Sequence, residues 1–236
     1  PTAFHAVENY RQILNADGFK ELLESEHWDI VPGGKYYVTR NNTSILAFKV
    51  GTKLENYSFN IVTSHTDSPT FKVKENAEIE VKNKYTQLNT EGYGGMLCAT
   101  WLDRPLSIAG RVLVSEGNSI VTKLLNIDRD LLMIPNVAIH MNRAANDGFK
   151  YNLQVDMLPL LSAGDDRQKD FKQIIADELG VKKEDILGHD LYLYNRMAPS
   201  IWGANEEFIS AGHLDDLQCG FASLKALLAG YNDESI

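Results

Sequence analysis

Near the start of the chain, apolar residues recur at three- and four-residue steps. In FHAVENYRQILNADGFKELLES, Phe4, Val7, Tyr10, Ile13 and Leu14 fall on one face of an amphipathic helix. The runs KYYVTR and SILAFKV follow, β-rich and joined by Asn41, Asn42 and Thr43, which is hairpin chemistry. In SFNIVTSHTDSP, a short apolar run of Phe59, Ile61 and Val62 breaks into polar residues before Pro69, predicting a buried strand that ends at His65. Between about Glu75 and Ser200 the pattern changes to short strands (AEIEVKN, GRVLVSE, SIVTKLL) and Gly-containing turns, with one helix-like stretch, RQKDFKQIIADELG. DLYLYN and EEFIS then read as strands, and LDDLQCGFASLKALLAG sets Leu217, Phe221, Leu224 and Leu228 on one helical face. This order predicts an α/β layer over 1–75 and 200–236, interrupted by a mainly β insertion over 76–199. No Gly/Ser-rich linker separates the two, so the insertion should be joined by short crossings.

Composition narrows the functions open to such a chain. Of 236 residues 44% are hydrophobic, enough for a sizeable core. With 23 basic against 32 acidic residues the net charge is −9, the wrong sign for neutralising phosphates, so nucleic acid and anionic membranes are not expected partners. Cys98 and Cys219 are the two cysteines and form no CxxC pair, which points to neither a disulfide framework nor a structural zinc cluster and fits a reducing compartment. No apolar run approaches the ~20 residues that span a bilayer, and PTAFHAVENY lacks the basic and apolar regions of a secretory leader. A soluble, cytoplasmic protein is expected. The first residue is Pro1, and YNDESI directly follows a helical segment, so a continuation of the native chain is also expected.

Two short stretches can carry chemistry. Ser64-His65-Thr66-Asp67-Ser68-Pro69 lies where an apolar strand should run out, the end of an α/β sheet at which ligands gather. A metal-binding imidazole commonly donates its other N–H to a carboxylate, and Asp67 could serve His65 in that way. Equally, Asp67 and Ser68 could form an Asx turn beside a half-buried His65. In Ala211-Gly212-His213-Leu214-Asp215-Asp216-Leu217, adjacent acids open a helix, where Asp215 could be a simple N-cap. Because it too follows a strand, Asp215 could instead bridge two divalent ions through its two oxygens, with Asp216 orienting or capping. His213 fits loop packing or the site.

The chain also resembles the aspartyl aminopeptidase (aminopeptidase I) family over essentially its whole length. The resemblance is carried in order by FHAVENY, GFKEL, GGKYYVTRN, SHTDSP, YGG, TWLDRPLSIAGRV, IPNVAIHMNR and SAGHLDDL. It implies the N-terminal portion of a zinc-exopeptidase-like catalytic domain, a three-layer αβα fold here incomplete, with an inserted β-rich dimerisation domain. It implies that His65 binds one metal, Asp67 orients it, Asp215 bridges two metals, and His140 reaches the active site of a neighbouring subunit. A strand histidine hydrogen-bonded inside a β domain is the alternative for His140. The cofactor would be two divalent ions per subunit, zinc foremost, with manganese or cobalt suited to the same donors. The implied activity removes one N-terminal residue, Asp or Glu, from peptides, in a homo-oligomer built from dimers. A broad or neutral-residue metalloaminopeptidase and a catalytically silent oligomeric scaffold are the alternatives. Family members commonly carry Arg where this chain has His213 and Asn where it has Asp216, and the family's general base and remaining ligands are expected beyond Ile236. Glu206 and Glu207 read as solvated strand-edge charges. Asp103 and Arg104 read as an architectural ion pair beside a packed Trp101.

Overall fold

The computed structural model describes residues 1–164 and 170–230. In chain order the elements are α1 (Ala3–Ala16), β1 (Lys20–Glu21), β2 (Lys35–Arg40), β3 (Ser44–Lys49), β4 (Thr70–Val81), β5 (Tyr85–Tyr93), β6 (Leu106–Glu116), β7 (Ser119–Asn126), β8 (Leu160–Ala163), α2 (Phe171–Leu179), β9 (Ile186–Asn195), β10 (Ser200–Trp202), β11 (Phe208–Ser210) and α3 (Leu214–Ala229). The architecture is α/β. Two compact units divide the chain, one over Pro69–Gly212, the other over Thr2–Ser68 together with the stretch from His213. The β-rich unit is thus wider than the 76–199 expected from composition.

That unit is built on a six-stranded sheet in the order β7-β6-β9-β4-β5-β8. DLYLYN, expected as a strand, lies in β9, a central strand of this sheet paired with β6 from Leu106↔Asn195 to Val114↔Ile186. Strand β6 is buried continuously from Leu106 to Gly110 and at alternate residues thereafter. Gly110 on β6 answers to a close approach: a Cβ there would overlap the Asp190 carbonyl oxygen of β9. Phe71, Val73, Leu88, Ile108, Val112, Leu125, Leu191 and Leu193 form one core with Phe171, Ile175 and Ala176 of α2. Helix α2 is N-capped by Asp170, whose side chain accepts from the Gln173 N–H at 2.8 Å. Its expected first residues, 167–169, lie outside the described residues. On the sheet, Asp190 is held by Lys72 at 2.8 Å and by Arg111 at 2.8 Å.

Local expectations for this unit met mixed outcomes. Trp101 packs edge-on against Phe71 at 5.2 Å between centroids. Asp103 accepts from the Asn136 N–H and Arg104 reaches the Met197 sulfur, so their expected mutual pair gives way to partners that are closer through space than along the chain. Glu206 and Glu207 sit in the turn joining β10 to β11, where Glu206 is left-handed (φ 60°) and Glu207 accepts from the Asn205 N–H. They are turn residues rather than strand-edge charges.

In the other unit, Leu14 of α1, Phe19, Tyr37 of β2 and Leu224 of α3 form a core, with Tyr10, Ile13, Ile45, Ala47, Leu227 and Leu228 packed around it. The predicted helical faces therefore hold for α1 and in part for α3, where Phe221 stays 50% exposed. Strands β2 and β3 pair antiparallel from Lys35↔Lys49 to Arg40↔Ser44, and β1 adds in parallel to β2. Asn41 and Asn42 both take positive φ (55° and 56°) in the loop between them, a conformation Asn tolerates well. Lys49 at the end of β3 donates to the Leu228 and Gly230 carbonyls, satisfying orphan acceptors at the C-terminus of α3.

One prediction fails here. The run Phe59-Ile61-Val62 is not a buried strand: residues 59–69 have no regular secondary structure, and the three side chains are 62%, 79% and 62% exposed. Among the described residues the sheet of this unit is β1-β2-β3, and no strand of it pairs with the run. Apolar content alone does not make a strand; a continuous ladder of backbone hydrogen bonds does.

Candidate metal centre

The segment between Val62 and Pro69 and the start of α3 supply the chemistry. His213 precedes the helix in the left-handed region (φ 62°, ψ 21°), and its carbonyl accepts from the Leu217 N–H at 3.2 Å. Asp215 departs from helical dihedrals (φ −87°, ψ 110°), and the Asp215-Asp216 peptide is cis. No side chain caps the helix, so neither aspartate is spent as an N-cap. The Ser68 hydroxyl donates to the Asp215 carbonyl at 3.3 Å, tying the two segments together.

His65 stands between carboxylates. Its Nδ1 lies 3.1 Å from both the carbonyl and the Oδ1 of Asp67, two acceptors that fix the proton on Nδ1. Its Nε2 faces Asp216 Oδ2 in a close ion-pair contact. Partial burial pulls the imidazole pKa down, but the hydrogen bond to the Asp67 carbonyl and the charges of Asp216 and Asp67 outweigh it, leaving a net upward shift. Asp216 is also shifted upward, first by its hydrogen bond to the Asp215 carboxylate, then by burial and the repulsion of that like charge, with His65 opposing. Three acids and one imidazole thus crowd a small, partly solvent-open space. The His65 side chain is 61% exposed and that of Asp216 27%.

The structure therefore brings together His65, Asp67, Asp215 and Asp216. The last was expected only to orient or cap, yet it is the carboxylate that meets His65. His140 lies in the β-rich unit, exposed in the turn where the Met141 N–H donates to the Ala138 carbonyl, and not in a strand. Burial lowers the His213 pKa, which suits loop packing. In kind, the donors fit a divalent cation: an imidazole fixed by a carboxylate behind it, and an acid pair in front. Among the described residues, no three or more His, Cys, Asp or Glu side chains are grouped so as to hold a metal ion by themselves. Sequence reading missed Tyr10 and Gly220, which lie just behind these groups; a glycine inside the apolar helical pattern LQCGFASL was the available signal.

Comparison with known proteins matches the whole chain, residues 1–236, to the family model described as aminopeptidase I zinc metalloprotease (M18). A protein of Clostridium acetobutylicum named probable M18 family aminopeptidase 2 is 47% identical over 234 residues, covering 97% of this chain and 54% of its own length. A solved structure described as the Ape4 and Nbr1 complex superposes with a TM-score of 0.92 at 33% identity, covering 99% of this chain and 49% of the other. The mApe1 dodecamer of S. cerevisiae gives 0.80 at 28% identity, covering 97% and 52%. The chain thus spans about half the length of the relatives it matches.

Proposed function

The chain belongs to the aminopeptidase I (M18) zinc metalloprotease family, and from that premise we propose that the protein is a metal-dependent aminopeptidase that removes a single N-terminal residue, Asp or Glu, from peptides. His65 and Asp215 would hold two divalent ions, zinc by the family's description, with manganese or cobalt suited to the same donors. When bound, such ions polarise a carbonyl and lower the pKa of water. The chain's own residues prepare that chemistry. Asp67 keeps the proton of His65 on Nδ1, so that Nε2, which meets Asp216 here, is the nitrogen that would turn to a metal. Asp216, hydrogen-bonded to Asp215, orients the bridging carboxylate. The general base and the remaining ligands are expected from the longer chain of which, on this reading, these residues are a part.

The observation that carries the reading is the placement of His65 with Asp67 on one nitrogen and the 215–216 acids on the other side. The β-rich unit is assigned to dimerisation within a larger homo-oligomer, in keeping with the neighbour described as a dodecamer. Exposed His140 would reach from it toward the active site of a neighbouring subunit. A cytoplasmic location accords with the free thiols Cys98 and Cys219, and no helix among the described residues is long and apolar enough to cross a membrane.

The test is an assay of the full-length protein on chromogenic amides of Asp, Glu, Leu and Ala, with chelator and with zinc, manganese or cobalt added back. Chelator-sensitive release from Asp and Glu alone is the expected result. Release from Leu would keep the metal chemistry and replace the specificity. No release with any metal would leave an oligomeric scaffold.

A further inference from the structure

Three parts of the site-bearing unit converge on one point. Gly220 is buried on α3, one helical turn after Asp216. A Cβ placed on it would overlap the Tyr10 hydroxyl of α1 and would lie 3.6 Å from Thr66 Cγ2. Thr66 separates His65 from Asp67, the pair whose ring and carboxylate are hydrogen-bonded. The tip of Tyr10 therefore occupies the space behind the His65–Asp67 segment and the turn of α3 that follows the acid pair.

Tyr10 Oη is fully buried with no partner among the described residues, and burial shifts the phenol upward. An unpartnered buried hydroxyl is destabilising, so packing alone would favour Phe at this position. What the oxygen supplies is length: it fills the gap that the missing side chain of Gly220 leaves open.

Resting on the reading of His65 and Asp215 as metal donors, we propose that Tyr10 is a positioning residue whose phenol tip, seated against Gly220, sets the separation between the His65–Asp67 segment and the Asp215-Asp216 pair. Metal affinity depends on that separation, because donor atoms must match a fixed metal–ligand distance. Shortening the spacer or adding bulk opposite it should both misplace the donors. Combining the two changes should partly restore them.

The experiment measures cobalt and zinc affinity of full-length Tyr10→Phe, Gly220→Ala and the double variant by calorimetric titration and by the cobalt absorption spectrum, with thermal unfolding of each metal-free form. Tyr10→Phe should weaken metal binding about 3- to 10-fold while the Tm of the metal-free protein holds or rises, as loss of an orphan hydroxyl predicts. Gly220→Ala should weaken binding by more than about 10-fold, and adding Tyr10→Phe to it should recover most of that loss, since the overlapping atom is removed. Wild-type affinity and spectra in both single variants would overturn the proposal. So would a double variant no better than Gly220→Ala, or affinity losses that merely follow losses of Tm. If the wild-type protein takes up no metal, the metal reading fails and this proposal with it; if the wild type binds and the variants match it, only the role of Tyr10 fails.

Discussion

The central sheet of the β-rich unit and the 59–65 segment of the site-bearing unit bury their apolar residues to very different degrees. In the β-rich unit Leu88, Leu106, Ile108, Val112, Leu125 and Leu191 are all 0–1% exposed, and α2 is capped and packed into the same core. In the site-bearing unit the buried cluster is Leu14, Phe19, Tyr37 and Leu224, while Phe59, Ile61 and Val62 stand beside the site largely uncovered. A residue's apolar character therefore has different consequences in the two places. In the central sheet it decides position, whereas along 59–65 it does not, and His65 there is placed by its polar contact with Asp67.

Substitutions can break or sharpen that contrast. The largest effect is expected from His65→Ala in the full-length protein, which should lower aminopeptidase turnover by more than about 10³-fold, ~4 kcal/mol of transition-state stabilisation. Its exposure means that thermal unfolding of the metal-free form should move little, and a large drop in Tm would show that His65 is structural after all. Ile108→Ala should do the reverse, costing about 2–5 kcal/mol of stability in denaturant melts. Ile61→Ala in the 236-residue chain should cost less than ~0.5 kcal/mol. Equal effects of the two isoleucine changes would erase the difference between the sheet and the segment.

Asp67→Asn keeps the shape of the site but weakens the hold on the His65 tautomer, and should reduce metal affinity by about 10- to 100-fold in a competitive chelator titration. The smallest effect concerns pH. Burial lowers the His189 pKa below the usual 6.5, so as the pH falls the unfolded chain takes up this proton before the folded one. The stability contributed by the neutral ring is fully present above about pH 6.5 and is lost as the pH drops toward the lowered value. His189→Gln should remove that slope from pH-dependent melts, and an unchanged slope would locate it elsewhere.

Much of the local structure was legible because its causes are local. The three- and four-residue steps of Phe4, Val7 and Leu14 made α1, and Asn41 and Asn42 made the β2–β3 loop by tolerating positive φ. SHTDSP and GHLDDL were visible as candidate chemistry, but each also reads as a turn or a helix cap, and the resemblance over the whole chain is what singled them out. What escaped the sequence depends on partners distant along the chain. Whether the run at Phe59 becomes a strand depends on hydrogen-bonding neighbours that no periodicity reports. Asp216, rather than Asp215, meets His65 because of the local backbone path at the head of α3, which side-chain type does not encode. The seating of Tyr10 against Gly220 couples positions 210 residues apart in sequence, 220 − 10, and only the glycine left a trace.

The grip of Lys49 on the last carbonyls of α3 has a mechanical consequence. The fourteen residues of α3 after the kink at Asp215, 216–229, at ~1.5 Å each make a rod of about 21 Å, held at its tail by a lysine at the end of β3 and bearing Asp216 at its head. About 2° of angular play at the tail swings the head by roughly 0.7 Å, several times the ~0.2 Å within which donor distances must fall. The aim of the carboxylates is therefore sensitive to a bond at the opposite end of the rod, and trimming Lys49 to Met would loosen it without touching any donor.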